Sequence, residues 1–221
     1  MNVSRETMAP PPLIAADFKQ LTGVTDETLA RLQAYADVLE KWQKKINLVG
    51  SKTLPDLWRR HMLDSAQLFA HLPEGPDEMV IVDMGSGAGF PGLVLAAMSG
   101  VDVSIHLIES DARKCAFLAE AARVMDVTPK THIHADRIEA VEGLVADVVT
   151  ARALTALGDL LGYAQPFLKP STTCLFPKGK TADDELTLAA NNWKMSTTEI
   201  PSLSDPSGTI LKLEAVSARD D

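Results

Sequence analysis

The sequence predicts an α/β fold: a doubly wound, mostly parallel sheet that closes in a C-terminal antiparallel hairpin and carries an N-terminal helical cap. Three observations predict it. From Met79 onward, apolar β-branched runs alternate with stretches of helical period, a spacing that implies parallel strands joined by crossover helices. Val80-Ile81-Val82-Asp83 leads straight into Met84-Gly85-Ser86-Gly87-Ala88-Gly89-Phe90-Pro91-Gly92, a strand ending on an acid before a glycine-rich turn. Residues 195–200 and 209–216 read as two strands joined through Ser204-Asp205-Pro206-Ser207-Gly208, a closing hairpin.

Residues 1–75 read as a helical extension of the same compact unit as a domain spanning 76–221. Thr25 caps a helix starting at Asp26. Leu29, Leu32, Tyr35, Leu39, Trp42 and Ile46 then recur at three- and four-residue steps, giving one apolar stripe until Asn47 to Gly50 breaks it. A second helix is expected over 55–72, with Leu57, Trp58, Met62, Ser65 and Phe69 facing inward. Strands are placed at 79–84, 103–109, 131–135, 146–151 and 172–177, and helices at 91–99, 111–125, 155–168 and 182–192. Strands as apolar as Val80-Ile81-Val82 and Val148-Val149 suit central positions in a sheet covered on both faces. The helix after the glycine turn is expected to begin at Pro91, whose missing N–H is tolerated there, and to face a polar, nucleotide-like ligand with its free N–H groups.

At 221 residues the chain fits one sizeable domain able to bury a full core. Its two cysteines, Cys115 and Cys174, stand far apart without a Cys/His grouping, so neither disulfide framework nor metal site is indicated. The N-terminus lacks a signal-peptide layout and no apolar run approaches the length of a membrane span. A soluble, cytoplasmic monomer is the expectation. The net charge of −9 argues against indiscriminate nucleic-acid binding. Between Lys41 and His61, however, six cations (Lys41, Lys44, Lys45, Lys52, Arg59, Arg60) meet a single acid, Asp56. A basic patch on an acidic body suits docking at one place on a large polyanion.

The glycine turn fits both dinucleotide and S-adenosyl-L-methionine (AdoMet) sites, and both want an acid at the end of the second strand for ribose hydroxyls. Glu109 stands there; the alternative is an acid favoured at a helix start. Three features favour AdoMet. Asp83 lies where a dinucleotide site carries an apolar residue, the polar run His134-Ala135-Asp136-Arg137-Ile138-Glu139 suits an adenine, and the terminal hairpin is the ending typical of AdoMet-dependent transferases.

The acceptor is narrowed by what is missing. No Asn-Pro-Pro-Tyr or Asp-Pro-Pro-Tyr run, the mark of exocyclic-amine methylation, ends the fourth strand; Thr150-Ala151-Arg152-Ala153 does. Cys115 and Cys174 read as core residues, so no thiolate is offered for attack at a pyrimidine carbon. A guanine N7 already holds a free lone pair and needs no base, only alignment.

The Asp83–Gly92 loop, Trp42-Gln43-Lys44-Lys45-Ile46-Asn47-Leu48, Arg60-His61-Met62-Leu63-Asp64-Ser65 and Thr150-Ala151-Arg152-Ala153 together resemble the bacterial small-subunit ribosomal RNA guanine-N7 methyltransferases, also called the glucose-inhibited division protein B family. The resemblance runs in order over about residues 25 to 215. It implies a Rossmann-like methyltransferase sheet, AdoMet as cofactor, and N7 methylation of one guanine in the decoding-centre loop of 16S rRNA within the small ribosomal subunit. Carried over position by position, it places cofactor contacts on Gly85, Phe90, Ile138, Glu139 and Arg152; the turn itself adds Gly87, and the second strand Glu109. The chain departs from the family's pattern at Glu109-Ser110, at Gln43, and at Pro177 before Lys178-Gly179. Rival readings are a same-fold methyltransferase acting on a small molecule or protein, and a non-enzymatic nucleotide-binding ribosome assembly factor.

Single roles follow. Arg152, at the carboxyl end of the fourth strand, suits a methionine carboxylate or an RNA phosphate; its alternative is an ion pair with Asp83 or Glu139. Candidate RNA contacts are Lys44, Lys45, Arg59, Arg60, His61 and Lys178, with Lys180 extending the cationic rim. Asp64 is read as an anchor for Arg60 or a cap for neighbouring backbone, and no catalytic residue is assigned.

Overall fold

The sheet forms where the β-branched runs lie, in the order β3-β2-β1-β4-β5-β7-β6. In the computed structural model, which describes residues 10–74 and 78–219, these are β1 (Met79–Met84), β2 (Val103–Ile108), β3 (Thr131–His134), β4 (Val148–Thr150), β5 (Thr173–Lys178), β6 (Trp193–Pro201) and β7 (Thr209–Ala218). All pairs are parallel except β5–β7 and β6–β7. The central β1 sets Ile81 beside Ile105 on one side and Val148 on the other, so the most apolar strands hold the middle.

Alternation along each strand sorts the side chains onto two faces. Ile81, Ile105 and Leu107 join one core with α4 (Gly92–Met98), α5 (Ala112–Val124) and the N-terminal helices α1 (Ala15–Thr22) and α2 (Asp26–Gln43). Val82, Met84, Ile108, Val149 and Phe176 join the other with α6 (Leu157–Ala164) and α7 (Ala182–Ala189). Helix α4 explains the N-terminal cap: its residues Gly92 to Ala97 are all buried. A helix apolar all round must be covered all round. The strands β1 and β2 cover one side, and α2 with α3 (Asp64–Ala66) covers the other.

The cap is more broken than its periodicity predicts. Thr25 does cap α2, accepting from the Thr28 N–H at 3.1 Å, but α2 ends at Gln43, and α1 is an additional helix. The expected 55–72 helix is a succession: a 3-10 turn (Leu54–Asp56), a π-helical segment (Trp58–Leu63), α3, and a 3-10 turn (Gln67–His71). Each change of pitch rotates the inner face. Leu57, Met62 and Ser65 are buried as expected, Leu63, Ala66 and Leu68 join them, and Phe69 turns outward. Pro91 is the residue before α4 rather than its first member. Helices α6 and α7 end earlier than expected, α6 passing into a 3-10 turn with Pro166 (Gln165–Phe167). Strand β5 runs through Pro177 to Lys178, past the last residue paired with β4, Leu175, where a missing strand donor costs least.

One crossover of the sheet lacks an α-helix. The β3–β4 connection carries a single 3-10 turn, Ile138–Ala140, and three imidazoles stand on the neighbouring strands. His106 Nδ1 and His134 Nε2 lie 2.9 Å apart with ring centroids 5.2 Å apart, so the rings meet edge to edge and share one proton. Burial lowers both pKa values, His106 to about 4.

The cap is tied to the glycine turn by Tyr35, whose fully buried hydroxyl donates to the Ala88 carbonyl. Tyr35→Phe leaves that carbonyl unpaired and is expected to cost about 1–3 kcal/mol. Urea unfolding checks this, and an unchanged midpoint would mean that the bond adds nothing to stability.

Candidate functional site

The glycine turn is held from three directions. Asp83, fully buried, accepts from the Gly92 N–H at 3.1 Å, so a side chain of the preceding strand takes up an N–H at the start of α4 that was expected to face a ligand. The Ser86 hydroxyl donates to the Asp83 carbonyl at 2.9 Å. Glu109 accepts the Gly87 N–H on Oε2 at 2.9 Å and the Asp111 N–H on Oε1 at 2.8 Å. Glycine is needed at Gly92, where a Cβ would lie 2.3 Å from Leu107 Cδ2 and 2.8 Å from Asp83 Oδ2. It is needed differently at Gly87, where a Cβ would make only an ordinary contact, 3.7 Å from the Gly85 carbonyl oxygen, but φ is +57°.

Above this turn, at the carboxyl ends of β1, β4 and β5, lies a cavity of about 630 Å³. Gly85, Gly87, Phe90 and Arg152 line it, as do Val49, Thr53 and His61 of the cap, Lys114 of α5, Lys178 at the end of β5, and Ser204 and Asp205 of the hairpin turn. Glu109, Ile138 and Glu139 do not line it. Glu109 is buried against the turn, Ile138 packs on the α6/α7 core, and Glu139 is exposed at the ends of β2 and β3.

Arg152 is the hub. Its Nη1 donates to the Arg60 carbonyl at 3.1 Å and to Asp64 Oδ2 at 3.3 Å, its Nη2 to His61 Nδ1 at 2.7 Å, and its Cζ lies 5.0 Å from the centre of the Phe90 ring. Its ion-pair partner is therefore Asp64 and neither Asp83 nor Glu139. Asp64 in turn holds Arg152 rather than Arg60, and accepts from Ser204 Oγ at 2.5 Å. Arg60 reaches across to Asp205 at 2.8 Å, which holds the Asp205 carboxyl down at about 2.

Several expected RNA contacts have other work. Arg59 is spent on Asp56 (3.1 Å) and the Pro11 carbonyl (2.8 Å), and Lys178 on Glu185 and the Thr155 carbonyl. His61 is buried. Lys44 and Lys45 are exposed and form no ion pair among the described residues; the same holds for Lys41 and Lys52. Tyr35 and Asp205 were read only as parts of the apolar stripe and the hairpin turn, and Thr53 and Glu185 not at all. Their partners lie far along the chain or beyond a loop, and no local pattern marks their roles here.

Two ionisable groups are displaced by burial. Asp83 is raised to about 7, chiefly by desolvation, and its Oδ1 is buried with no hydrogen-bond partner. His61 is lowered to about 3, first by burial and then by the charges of Arg152 and Arg60. Among the described residues no group of three or more His, Cys, Asp or Glu side chains is placed to hold a metal ion.

The family model for GidB, rRNA small subunit methyltransferase G, matches residues 28–210. The chain belongs to that family. Among its relatives, a ribosomal RNA small subunit methyltransferase G of Paramagnetospirillum magneticum is 58% identical over 196 residues, covering 89% of this chain and 93% of that protein. One of Rhodospirillum centenum is 53% identical over 217 residues, covering 98% of each. Solved structures share the fold at low identity. A putative O-methyltransferase from Klebsiella pneumoniae matches with a TM-score of 0.60 at 11% identity, covering 92% of this chain and 97% of that one. A SAM-dependent methyltransferase from Aquifex aeolicus matches with a TM-score of 0.56 at 15% identity, covering 75% and 95%. The Rossmann-like methyltransferase architecture expected from the sequence is thus the observed one.

The pKa shifts have signed consequences for stability. His61 binds fewer protons folded than unfolded between its ordinary 6.5 and about 3, so its contribution is full above 6.5 and is lost as the pH falls through that window. Asp83 runs the other way, its burial penalty easing as pH falls from about 7 toward 3.8. Comparing wild type with His61→Asn isolates the first. Their stability difference is expected to fall below pH 6.5 with a slope of up to about 1.4 kcal/mol per pH unit. Urea melts at pH 7, 6 and 5 measure it, and parallel curves would mean that folding leaves the His61 pKa unshifted.

Proposed function

We propose that the protein transfers the methyl group of AdoMet to N7 of a single guanine in the decoding-centre loop of 16S rRNA, acting on the small ribosomal subunit in the cytoplasm. The observation that carries this reading is the one cavity in which the glycine turn, the Arg152 guanidinium and the loop beyond the cation-rich end of α2 meet. Membership of the rRNA methyltransferase family supports the substrate class.

The residues fit the cofactor. The unpartnered Asp83 Oδ1 offers a buried acceptor suited to an ammonium, directly or through water, and Gly87, at φ +57°, brings bare backbone to the cavity wall. Arg152 has five N–H donors and spends three, leaving donors on Nε and Nη2 for a carboxylate. We assign Gly85, Gly87, Phe90 and Arg152 to the methionine side of the site, and Glu109, Ile138 and Glu139 to ribose and adenine. The spare lone pairs of Glu109 and the apolar flank of Ile138 suit those roles. Bound AdoMet supplies an electrophilic methyl group on a sulfonium centre.

The chain's own residues have a restricted task. N7 of guanine carries a lone pair in its neutral form, so no side chain need remove a proton, in keeping with a site whose histidine is held neutral. What remains is alignment of the two reactants and a field suited to the loss of sulfonium charge. Cap residues Val49, Thr53 and His61 and hairpin residues Ser204 and Asp205 wall the cavity and limit how the base enters. Lys44 and Lys45, with Lys41 and Lys52, are the free cations for rRNA phosphates; Arg60 stands at the rim, paired with Asp205. We read residues 1–75 as a cap sharing one core with 76–221, its boundary falling outside the described residues. We also read the protein as a monomer. Among the described residues no helix is long and apolar enough to cross a membrane.

Incubation with labelled AdoMet and small subunits, followed by mapping, is expected to put the label on one 16S guanine; label on protein or on a small molecule would overturn the reading. Arg152→Ala removes charged hydrogen bonds each worth about 1.5–3 kcal/mol, so methylation is expected to fall by at least about 10- to 100-fold, the loss of a single such bond. Normal turnover would remove Arg152 from the site. Converting Lys44, Lys45 and Lys52 together to Gln is expected to make the salt dependence of subunit binding shallower by about 2–3 in slope. An identical slope would move the RNA surface elsewhere.

A further inference from the structure

His61 stands at the centre of a hydrogen-bond chain whose direction is fixed at both ends. Arg152 Nη2 can only donate, so the His61 Nδ1 it meets at 2.7 Å carries the lone pair. The proton is then on Nε2, which donates to Thr53 Oγ1 at 2.7 Å, and the Thr53 hydroxyl donates onward to the Gly50 carbonyl at 2.8 Å. The imidazole is only 7% exposed and lies against the Phe90 ring, with centroids 5.0 Å apart and planes 33° apart. Phe90 also carries the Arg152 guanidinium on its face and is backed by Tyr35 at 5.1 Å. Arg152 is thereby held by the imidazole, the Asp64 carboxylate, the Arg60 carbonyl and the ring, and its Nε edge is the part left open.

We propose that His61 is a positioning residue: as a neutral, Nε2-protonated imidazole it fixes the Arg152 guanidinium so that the Nε edge meets an oxyanion of a bound reactant. The inference rests on the methyltransferase reading above. It moves His61 from candidate RNA contact to a role exerted through Arg152. The oxyanion is a carboxylate on the methyl donor or a phosphate on the RNA, and the arms of the test separate the two. The arrangement has a physical logic. A lysine or second arginine in place of His61 would repel Arg152, and a carboxylate would add a second negative charge to that of Asp64 and compete with the ligand oxyanion. A neutral acceptor orients the guanidinium without adding a further counter-charge. The Thr53–Gly50 end of the chain selects the tautomer, making the loop after Val49 part of the same device.

Two measurements test it. In wild type, long-range ¹H–¹⁵N correlation spectra at pH 7 are expected to show His61 protonated on Nε2 alone; protonation on Nδ1, or on both nitrogens, overturns the proposal. Next, His61→Asn keeps an acceptor near Nδ1, whereas His61→Leu keeps only volume. Binding of S-adenosylhomocysteine without RNA is measured by calorimetry, and kcat and KM with small subunits by label transfer. His61→Leu is expected to lose about 10-fold or more, with His61→Asn recovering to within about 3-fold of wild type. Loss of homocysteine-nucleoside affinity identifies the donor carboxylate; loss confined to the KM for subunits identifies an RNA phosphate. Equal impairment of both variants, or full activity of a folded His61→Leu, overturns the proposal. If His61→Leu does not fold, Thr53→Val takes its place with the same expected direction, and an unaltered tautomer and activity in that variant overturn it. Failure of wild type to bind S-adenosylhomocysteine at all would instead overturn the methyltransferase reading on which this one stands.

Discussion

Helix α4 has no polar side, and much of the architecture follows from that. Gly92-Leu93-Val94-Leu95-Ala96-Ala97 offers nothing to water, so the helix needs a sheet beneath it and further helices above it. The strands β1 and β2 supply the first and α2 with α3 the second. The cap is thus part of one core with the sheet: Phe18, Leu32, Tyr35 and Leu39 share a continuous cluster with Ile81 and Leu107. Covering α4 also roofs the loop that leads into it. Tyr35, Phe90 and His61 come to lie over the glycine turn, and a site that sheet and loops alone would leave open becomes a walled cavity.

Within that cavity the charges are arranged so that each buried one has a counterpart or is kept neutral. Arg152 has Asp64, Lys178 has Glu185, and Arg60 has Asp205. His61 stays neutral beside two arginines because burial and both positive charges oppose a further proton. Asp83 is the exception. One carboxylate oxygen caps α4 and the other has no partner, which leaves the acid with a pKa near neutrality. An incomplete buried group beneath the glycine turn is the kind of exception that calls for an explanation, and the proposed cofactor supplies one. Lys41, Lys44, Lys45 and Lys52, at the end of α2 and in the loop beyond it, do not line the walled site, whereas the cation Lys114 does.

What could be read along the chain was whatever depends on local period. The strands fell within a residue or two of their places, except that β4 is shorter than expected, because alternating or continuous β-branched runs are legible without partners. Thr25 as a cap and the glycine turn were equally local. The region 54–71 was legible as helical but not in phase, since a π-helical segment between two 3-10 turns alters the residues per turn and no residue type announces it. The cation-rich stretch from Lys41 to Arg60 was visible as composition. Which of its members are free was not: Arg59 and Arg60 hold an acid each, while Lys44 and Lys45 do not.

By itself the sequence determined the order of strands and helices, the glycine turn with its acid, and through motif resemblance the kind of reaction, because each is carried by residues within a turn or two of one another. Only the tertiary structure decided who holds whom. Arg152 finds its partners 88 to 92 residues away, and Arg60 finds Asp205 at a separation of 145. Such pairings depend on where rigid elements come to rest, and a side chain's neighbours there, rather than its type, set its protonation and its work.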